Sequence, residues 1–295
     1  MSAIVYRHFD LPSLEIEYDN RGKVSPSTLE GYRSIWRAGS TRARETLECF
    51  LDVEYGSSPE QRLDVFLPRE SRRKGPRPVC IYIHGGYWHF GDKSDCSYVA
   101  LGLGGHDLIT VVIKYGLAPA VPVGKQVSNC VHAVQWVQHH IERYGGDPER
   151  IYVIGHSAGA HLATMTVAGT RGTAAPRLGP DAVRGIVALS GVYELAPVAL
   201  TALNDQIGLS DRDIELLSPS LLGCNTSAEM LVGVGSLEGE EFIRQTEHLA
   251  ENWSKHTPRL KRKIYASDDH FSIRTGFVDP DSPLCNEVID LMSRN

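Results

Sequence analysis

Ile151-Tyr152-Val153-Ile154-Gly155-His156-Ser157-Ala158-Gly159-Ala160-His161 sets an apolar run, a glycine-flanked serine and the opening of a helical pattern side by side. The four apolar residues predict a strand, and apolar spacing over Ala158–Ala168 predicts a helix directly after it. Between them Gly155-His156-Ser157-Ala158-Gly159 is an intact G-x-S-x-G. A serine on so sharp a strand-to-helix turn takes a strained backbone, and the flanking glycines remove Cβ atoms that would block the turn. The helix start beneath it offers free N–H groups and a positive dipole end to a developing oxyanion. Ser157 is therefore a candidate nucleophile. The five-residue pattern is common by chance in loops; the strand before it and the helix after it give it weight.

Working outward, apolar runs recur at Glu48–Tyr55, Gln61–Leu67, Val79–His84, Leu108–Tyr115, Gly185–Leu189, Met230–Val234 and Arg262–Ala266. Several are continuously apolar, as strands buried on both faces of a parallel sheet read. The first two are more mixed, and Gly56-Ser57-Ser58-Pro59 between them predicts an antiparallel hairpin at the sheet edge. Helical patterns fall at Asp95–Leu103, Gly124–Tyr144, Glu240–Lys255 and Pro283–Met292. In the second of these, Val127, Val131, Val134 and Val137 form the face that packs on the sheet, and Gly145-Gly146-Asp147-Pro148 stops the helix. The expected fold class is α/β, with a mostly parallel central sheet and helices on both faces, in one domain spanning 1–295. Residues 1–47, with helical character over Ser27–Arg44, and 197–225, with an amphipathic piece near Asp211–Leu217, break the alternation. Both are expected to cap the carboxyl edge of the sheet, where such sheets bind ligands.

Two further motifs complete a site. His84-Gly85-Gly86-Tyr87-Trp88 follows an apolar strand, and its glycines let backbone N–H groups turn toward a substrate carbonyl. Gly86, Tyr87 and Ala158 are thus the expected oxyanion donors. His84 is expected to hold the loop by hydrogen bonds. Tyr87 and Trp88 read equally well as core packing or as an aromatic wall for the substrate. Asp268-Asp269-His270-Phe271 follows the last strand, the position of the histidine in chains ordered Ser, acid, His, so His270 is the expected general base. His106, His132, His139, His140 and His248 lack a catalytic pattern and are expected at the surface; His156 and His161 are expected to support the elbow or pack on its helix. The acid should follow Met230–Val234, where Glu238 comes first. Glu240 and Glu241 read as first-turn residues of the next helix, and Asp268 and Asp269 as local turn formers.

The 295 residues carry a formal net charge of −6, with 42% hydrophobic and 22% charged residues. This balance predicts a folded protein and points to neither nucleic acid nor membrane as a partner. The basic run Arg72-Arg73-Lys74 reads as a solvated loop. The six cysteines have no paired spacing, no histidine spacing suits zinc, and the start of the chain lacks a secretory apolar region. A soluble, cytoplasmic protein without metal or cofactor is expected, acting on a small molecule; a homodimer is allowed.

The alternation of elements with this motif order is that of the α/β-hydrolases. Within them the chain resembles the kynurenine formamidase, or arylformamidase, family related to hormone-sensitive lipase. The resemblance rests on His84–Trp88, on Gly155–Leu162, on Glu241-Phe242-Ile243-Arg244-Gln245 and on Asp269-His270-Phe271, with weaker echoes at Glu17–Arg21 and Tyr115–Pro119. It implies hydrolysis of an N-formyl arylamine by an acyl-enzyme mechanism. Members usually carry Asp where this chain has Glu238, and relatives hydrolyse esters, other amides and carbamates. A carboxylesterase, and an inactive hydrolase fold used for binding, are the other expectations.

Overall fold

The computed structural model describes residues 3–69, 75–169, 176–257 and 259–293; the basic run Arg72–Lys74 lies outside them. The chain opens with a two-stranded ribbon, β1 (Ile4–Tyr6) and β2 (Phe9–Asp10), then α1 (Leu11–Tyr18) and α2 (Pro26–Thr46). An eight-stranded sheet follows, built from β3 (Cys49–Glu54), β4 (Arg62–Phe66), β5 (Arg77–Ile83), β6 (Ile109–Lys114), β7 (Gly146–His156), β8 (Gly185–Leu189), β9 (Glu229–Gly235) and β10 (Leu260–Tyr265). Their order is β10-β9-β8-β7-β5-β6-β4-β3. All neighbours from β6 to β10 pair in parallel, and the expected hairpin β3–β4 sits antiparallel at one edge.

The apolar runs divide between two cores by the two-residue period of a strand. Val79, Ile81, Ile83, Ile151 and Val153 face one side, and Cys80, Tyr82, Tyr152 and Ile154 the other. The first face is covered by α4 (Val123–His140), α5 (Ala158–Met165) and the later α9 (Glu240–Trp253); the second by α2, α3 (Val99–Gly104) and α10 (Pro283–Ser293). Val127, Val131, Val134 and Val137 of α4 are fully buried, and Gly145 at φ 78° closes the 3-10 turn that ends this helical stretch.

Expectation and structure differ in the smaller pieces. Asp95–Leu103 is a 3-10 turn at Lys93–Cys96 followed by α3 rather than one helix. The 197–225 stretch contains the end of α6 (Ala196–Ala199), then α7 (Asn204–Ile207) and α8 (Asp211–Leu216), the last opened by a Ser210–Asp213 capping box. The helix α1 has no clear apolar stripe in sequence; Asp10 caps it by accepting from the Ser13 N–H. Among the described residues, no helix is long and apolar enough to cross a membrane.

What matters for function is the carboxyl edge. Chain order reverses between β5 and β7, because β5 leads to β6 on one side and the chain then returns to β7 on the other. Such a switch point leaves a crevice between two loops that depart in opposite directions. Ile83 pairs level with Gly155, so the loop after β5 and the turn after β7 leave the sheet side by side. The ends of β8, β9 and β10 continue the same rim.

Candidate active site

Ser157 sits on the turn from β7 to α5 at φ 58°, ψ −125°, in backbone that L-residues rarely adopt. The turn is possible because its glycines have no side chain: a Cβ on Gly155 would lie 2.2 Å from the Gly159 carbonyl oxygen, and one on Gly159 2.0 Å from that of Ile83. The Ser157 N–H donates to the Leu189 carbonyl at 2.8 Å, which ties the turn to the end of β8. The hydroxyl faces His270, with Oγ 3.0 Å from Nε2. On the other side of that ring, Nδ1 lies 2.6 Å from Glu238 Oε2. A carboxylate only accepts, so the network assigns the ring proton to Nδ1 and leaves the Nε2 lone pair for the serine proton.

The three expected residues thus form one hydrogen-bonded line, and all three are buried. Glu238 is fixed further by the Gly235 N–H at 2.7 Å and the Ser190 hydroxyl at 2.5 Å, both donating to Oε1. Ser190 escaped the sequence analysis; its only signal there is a polar residue closing the apolar run Gly185–Leu189. The His270 loop is held from beneath, where His156 Nε2–H donates to the His270 carbonyl at 2.8 Å. Burial first, then the adjoining His270 and Arg274, holds His156 well below the ordinary imidazole range, so it supports the loop as a neutral ring. Asp268 and Asp269 close the local turn: Asp269 Oδ1 accepts from the Phe271 and Ser272 N–H groups, and Asp268 Oδ1 from the Ser272 hydroxyl. Glu241 does more than favour a helix start. It is fully buried, its N–H donates to Glu17, and its carboxylate takes Arg244 at 2.7 Å. Among the histidines expected at the surface, His248 keeps a side chain 36% exposed and pairs with Glu194 at 2.5 Å beside Arg244.

The loop after β5 lies against the serine. A Cβ on Gly85 would come within 2.9 Å of the Ser157 Cβ, and Gly86 has φ +124° with the Phe90 carbonyl where its Cβ would be. The N–H groups of Gly86 and Tyr87 make no hydrogen bond to another described residue, and Ala158, first in α5, lacks an intrahelical acceptor. His84 holds the loop as expected. Its Nδ1 lies 2.8 Å from the Gly85 carbonyl, its ring stacks on Tyr115, and its carbonyl accepts from the Tyr115 hydroxyl at 2.9 Å.

Of the two residues expected as an aromatic wall, one lines the cavity. Tyr87 lines the cavity, clamped to the N-terminal segment by donating to the Tyr18 carbonyl at 2.7 Å and accepting from Asn20 Nδ2 at 3.1 Å. Trp88 is a correction: it is fully buried in the core and does not line the cavity. Tyr87 and Trp88 both take positive φ, 43° and 60°, and in the core the Trp88 Nε1–H donates to His161 Nδ1 at 3.1 Å. His161 in turn donates from Nε2 to the Leu217 carbonyl at 2.7 Å. Both segments expected as a cap reach the cavity, a space of about 720 Å³ above Ser157 and His270. Tyr18, Asn20 and Trp36 come from the first, and Ala202, Leu203 and Gln206 from the second; sequence alone named none of these six as wall residues.

This fold, with a buried serine, histidine and glutamate in line at the strand ends, defines an α/β-hydrolase. The BD-FAE family model matches residues 63–217, just over half the chain, and the chain belongs to that family. The match takes in the loop after β5 and the serine turn and ends before Glu238 and His270. Over 294 residues the chain is 28% identical to a kynurenine formamidase of Danio rerio, covering 96% of each. It is 28% identical over 276 residues to a kynurenine formamidase of Salmo salar, 90% of each. It is 39% identical over 193 residues to a probable isoprenylcysteine alpha-carbonyl methylesterase of Arabidopsis thaliana, covering 65% of this chain and 37% of that one. Among solved structures, a putative thioesterase from Silicibacter superposes with a TM-score of 0.77 at 24% identity, covering 92% of this chain and 97% of that one. Esterase B from Lactobacillus rhamnosis gives 0.66 at 19%, covering 94% of each; at these identities the likeness speaks for the fold. The protein is a hydrolase of the esterase-like kind.

Proposed function

We propose that this hydrolase cleaves an aryl formamide to the arylamine and formate through a formyl-enzyme on Ser157, as N-formylkynurenine would be cleaved to kynurenine. The observation that carries the reading is the line Ser157–His270–Glu238 at the floor of a cavity with aromatic walls. Ser157 Oγ attacks the formyl carbon while its proton passes to His270 Nε2, and Glu238 orients the ring and stabilises the imidazolium. The N–H groups of Gly86, Tyr87 and Ala158 hold the oxyanion, each contributing on the order of 10² to 10³ in rate. The C–N bond then breaks as His270 returns the proton to the leaving nitrogen. Water, losing its proton to the same Nε2, releases formate and restores the serine.

The formamide is favoured because the likeness to kynurenine formamidases runs through 96% of both chains and so includes the segments that build the walls. A carboxylesterase is the second reading, favoured by the higher identity to the methylesterase, which covers only 37% of that protein. The deciding experiment measures kcat/KM for N-formylkynurenine and for p-nitrophenyl acetate, with Ser157→Ala as the blank. A preference for the formamide, falling about 10⁴- to 10⁶-fold in Ser157→Ala, is expected. Comparable or ester-dominated rates move the substrate to the esterase class, and full activity in Ser157→Ala ends the acyl-enzyme scheme.

A further inference from the structure

Arg274 lies in the 3-10 helix Ser272–Val278, one short turn after His270, and both side chains line the same cavity. The guanidinium carbon sits 3.6 Å from the centroid of Trp36, so its flat face is covered by the indole. Trp36 is itself fixed, its Nε1–H donating to Thr275 Oγ1 at 3.1 Å. Stacking of this kind occupies the face of a guanidinium and leaves its N–H edges for an acceptor in the plane.

Among the described residues no carboxylate forms an ion pair with Arg274. Its charge bears on His84 and His156, and the ionisable groups that bear most on it are the Tyr98 and Tyr82 hydroxyls and the Cys96 thiol, close enough to engage part of its N–H edge. Burial pushes all three above their ordinary ranges, the thiol to about 12, so all are neutral at pH 7. Arg274 Nε is buried and without a hydrogen-bond partner among the described residues. Two other partly buried guanidiniums are paired, Arg244 with Glu194 and Glu241 and Arg77 with Asp107, whereas Arg177, away from the cavity lining, donates only to the Pro176 carbonyl. The carboxylates that share the cavity do not serve: Glu15, Asp19 and Asp92 accept from the N–H groups of Ala202, Gly22 and Ser94, and Asp95 is exposed. A largely desolvated cation without a counter-charge lowers the stability of the fold, and it is offset when a ligand brings the anion.

We propose that Arg274 is a specificity-determining residue that takes the carboxylate of an aromatic substrate in two parallel N–H to oxygen hydrogen bonds, so that the enzyme selects anionic aryl substrates over neutral ones. The proposal rests on Ser157 as the nucleophile; it deepens that reading by stating the charge of the substrate. A charge-assisted pair of this kind corresponds to roughly ten- to a hundredfold in affinity.

The test compares 3-acetoxybenzoate with 3-acetoxybenzamide, which differ in the charge of one ring substituent. Wild type is expected to prefer the carboxylate by about tenfold or more in kcat/KM. Arg274→Met should raise KM for the carboxylate by roughly ten- to a hundredfold while leaving kcat and the amide's KM within a few-fold, and Arg274→Lys should recover part of the loss. Equal rates on the two substrates in wild type, or equal losses on both in Arg274→Met, overturn the proposal. If neither ester is turned over above the Ser157→Ala blank, the esters are not substrates, and the nucleophile reading stands or falls on the N-formylkynurenine assay. Calorimetric titration of wild type with benzoate and benzamide then decides the anion site independently: selective binding of benzoate supports it, and no selectivity overturns it. The same titration decides the matter if Arg274→Met does not fold.

Discussion

Glu238 holds His270 through Nδ1 at 2.6 Å, and Glu194 holds His248 through Nδ1 at 2.5 Å. In both rings the remaining nitrogen accepts, from the Ser157 hydroxyl in one and the Asn252 amide at 3.0 Å in the other. The pairs differ in what surrounds them. Glu194 also takes both ends of the Arg244 guanidinium, at 3.0 and 2.9 Å, so a full positive charge already satisfies it. Glu238 takes only a hydroxyl and a backbone N–H besides the imidazole. A positive charge forming on His270 therefore meets an acid with no cation hydrogen-bonded to it among the described residues, the nearby Lys23 amine being paired with Glu17, whereas one on His248 would share its acid with Arg244. A close Glu–His contact is thus no mark of catalysis by itself; the marks are the missing cation and a hydroxyl on the far nitrogen at the floor of a cavity.

The two acids should differ most in what their loss does. Glu238→Gln should lower kcat by about 10³- to 10⁴-fold, because the amide no longer holds the productive tautomer and cannot stabilise the imidazolium. Glu194→Gln should leave kcat within a few-fold but cost about 2 to 3 kcal/mol of stability, since it leaves Arg244 half-paired. Steady-state kinetics and urea unfolding on both variants read the two effects apart, and a kinetic defect of equal size in Glu194→Gln would erase the distinction.

A third histidine sharpens it from the other direction. In His161 the acceptor is Nδ1 and the donor Nε2, and burial, which outweighs the favourable Leu217 carbonyl and is aided by Arg177, lowers its pKa from 6.5 to about 4. The unfolded chain therefore binds the proton first. Stability is complete above about pH 6.5 and drains away as pH falls toward about 4, amounting to about 2 kcal/mol at pH 5. Urea midpoints at pH 7 and pH 5 should differ more in wild type than in His161→Gln; an identical pH dependence in the two would show that this ring is not the one resisting protonation. The smallest effect belongs to its partner. Trp88→Phe removes the donor to His161 Nδ1 and should cost about 1 to 2 kcal/mol of stability, with kcat/KM changed less than about twofold. A large rise in KM would return Trp88 to the substrate wall.

The sheet was legible because β5, β6 and β7 are buried on both faces and so read as unbroken apolar runs, and the serine turn because its constraints are local: Gly155 and Gly159 meet backbone atoms a few residues away or on the adjoining strand. Glu238 could be found by its place after β9. What escaped depends on contacts between residues distant in the chain. The helix α1 is short and without a clear stripe, and Glu17 on it finds its partner in the N–H of Glu241. Tyr87 and Trp88 are adjacent aromatics with the same sequence signal, and their partners, Tyr18 and Asn20 for the one and His161 for the other, lie far off in the chain. Arg274 belongs to no motif in the sequence; what marks it is Trp36, some 240 positions earlier, lying against its guanidinium.

The division of labour at the cavity has a use in protein engineering. The floor hangs from strand ends, whereas much of the wall comes from α1, the loop after it, α2 and the stretch around α7. A mutant library confined to Arg33, Arg37, Ala202, Leu203 and Gln206 would sample new substrate shapes without touching the elements that hold Ser157, His270 and Glu238. Tyr18 and Asn20 belong outside such a library, because they grip Tyr87 and through it the loop beside the nucleophile.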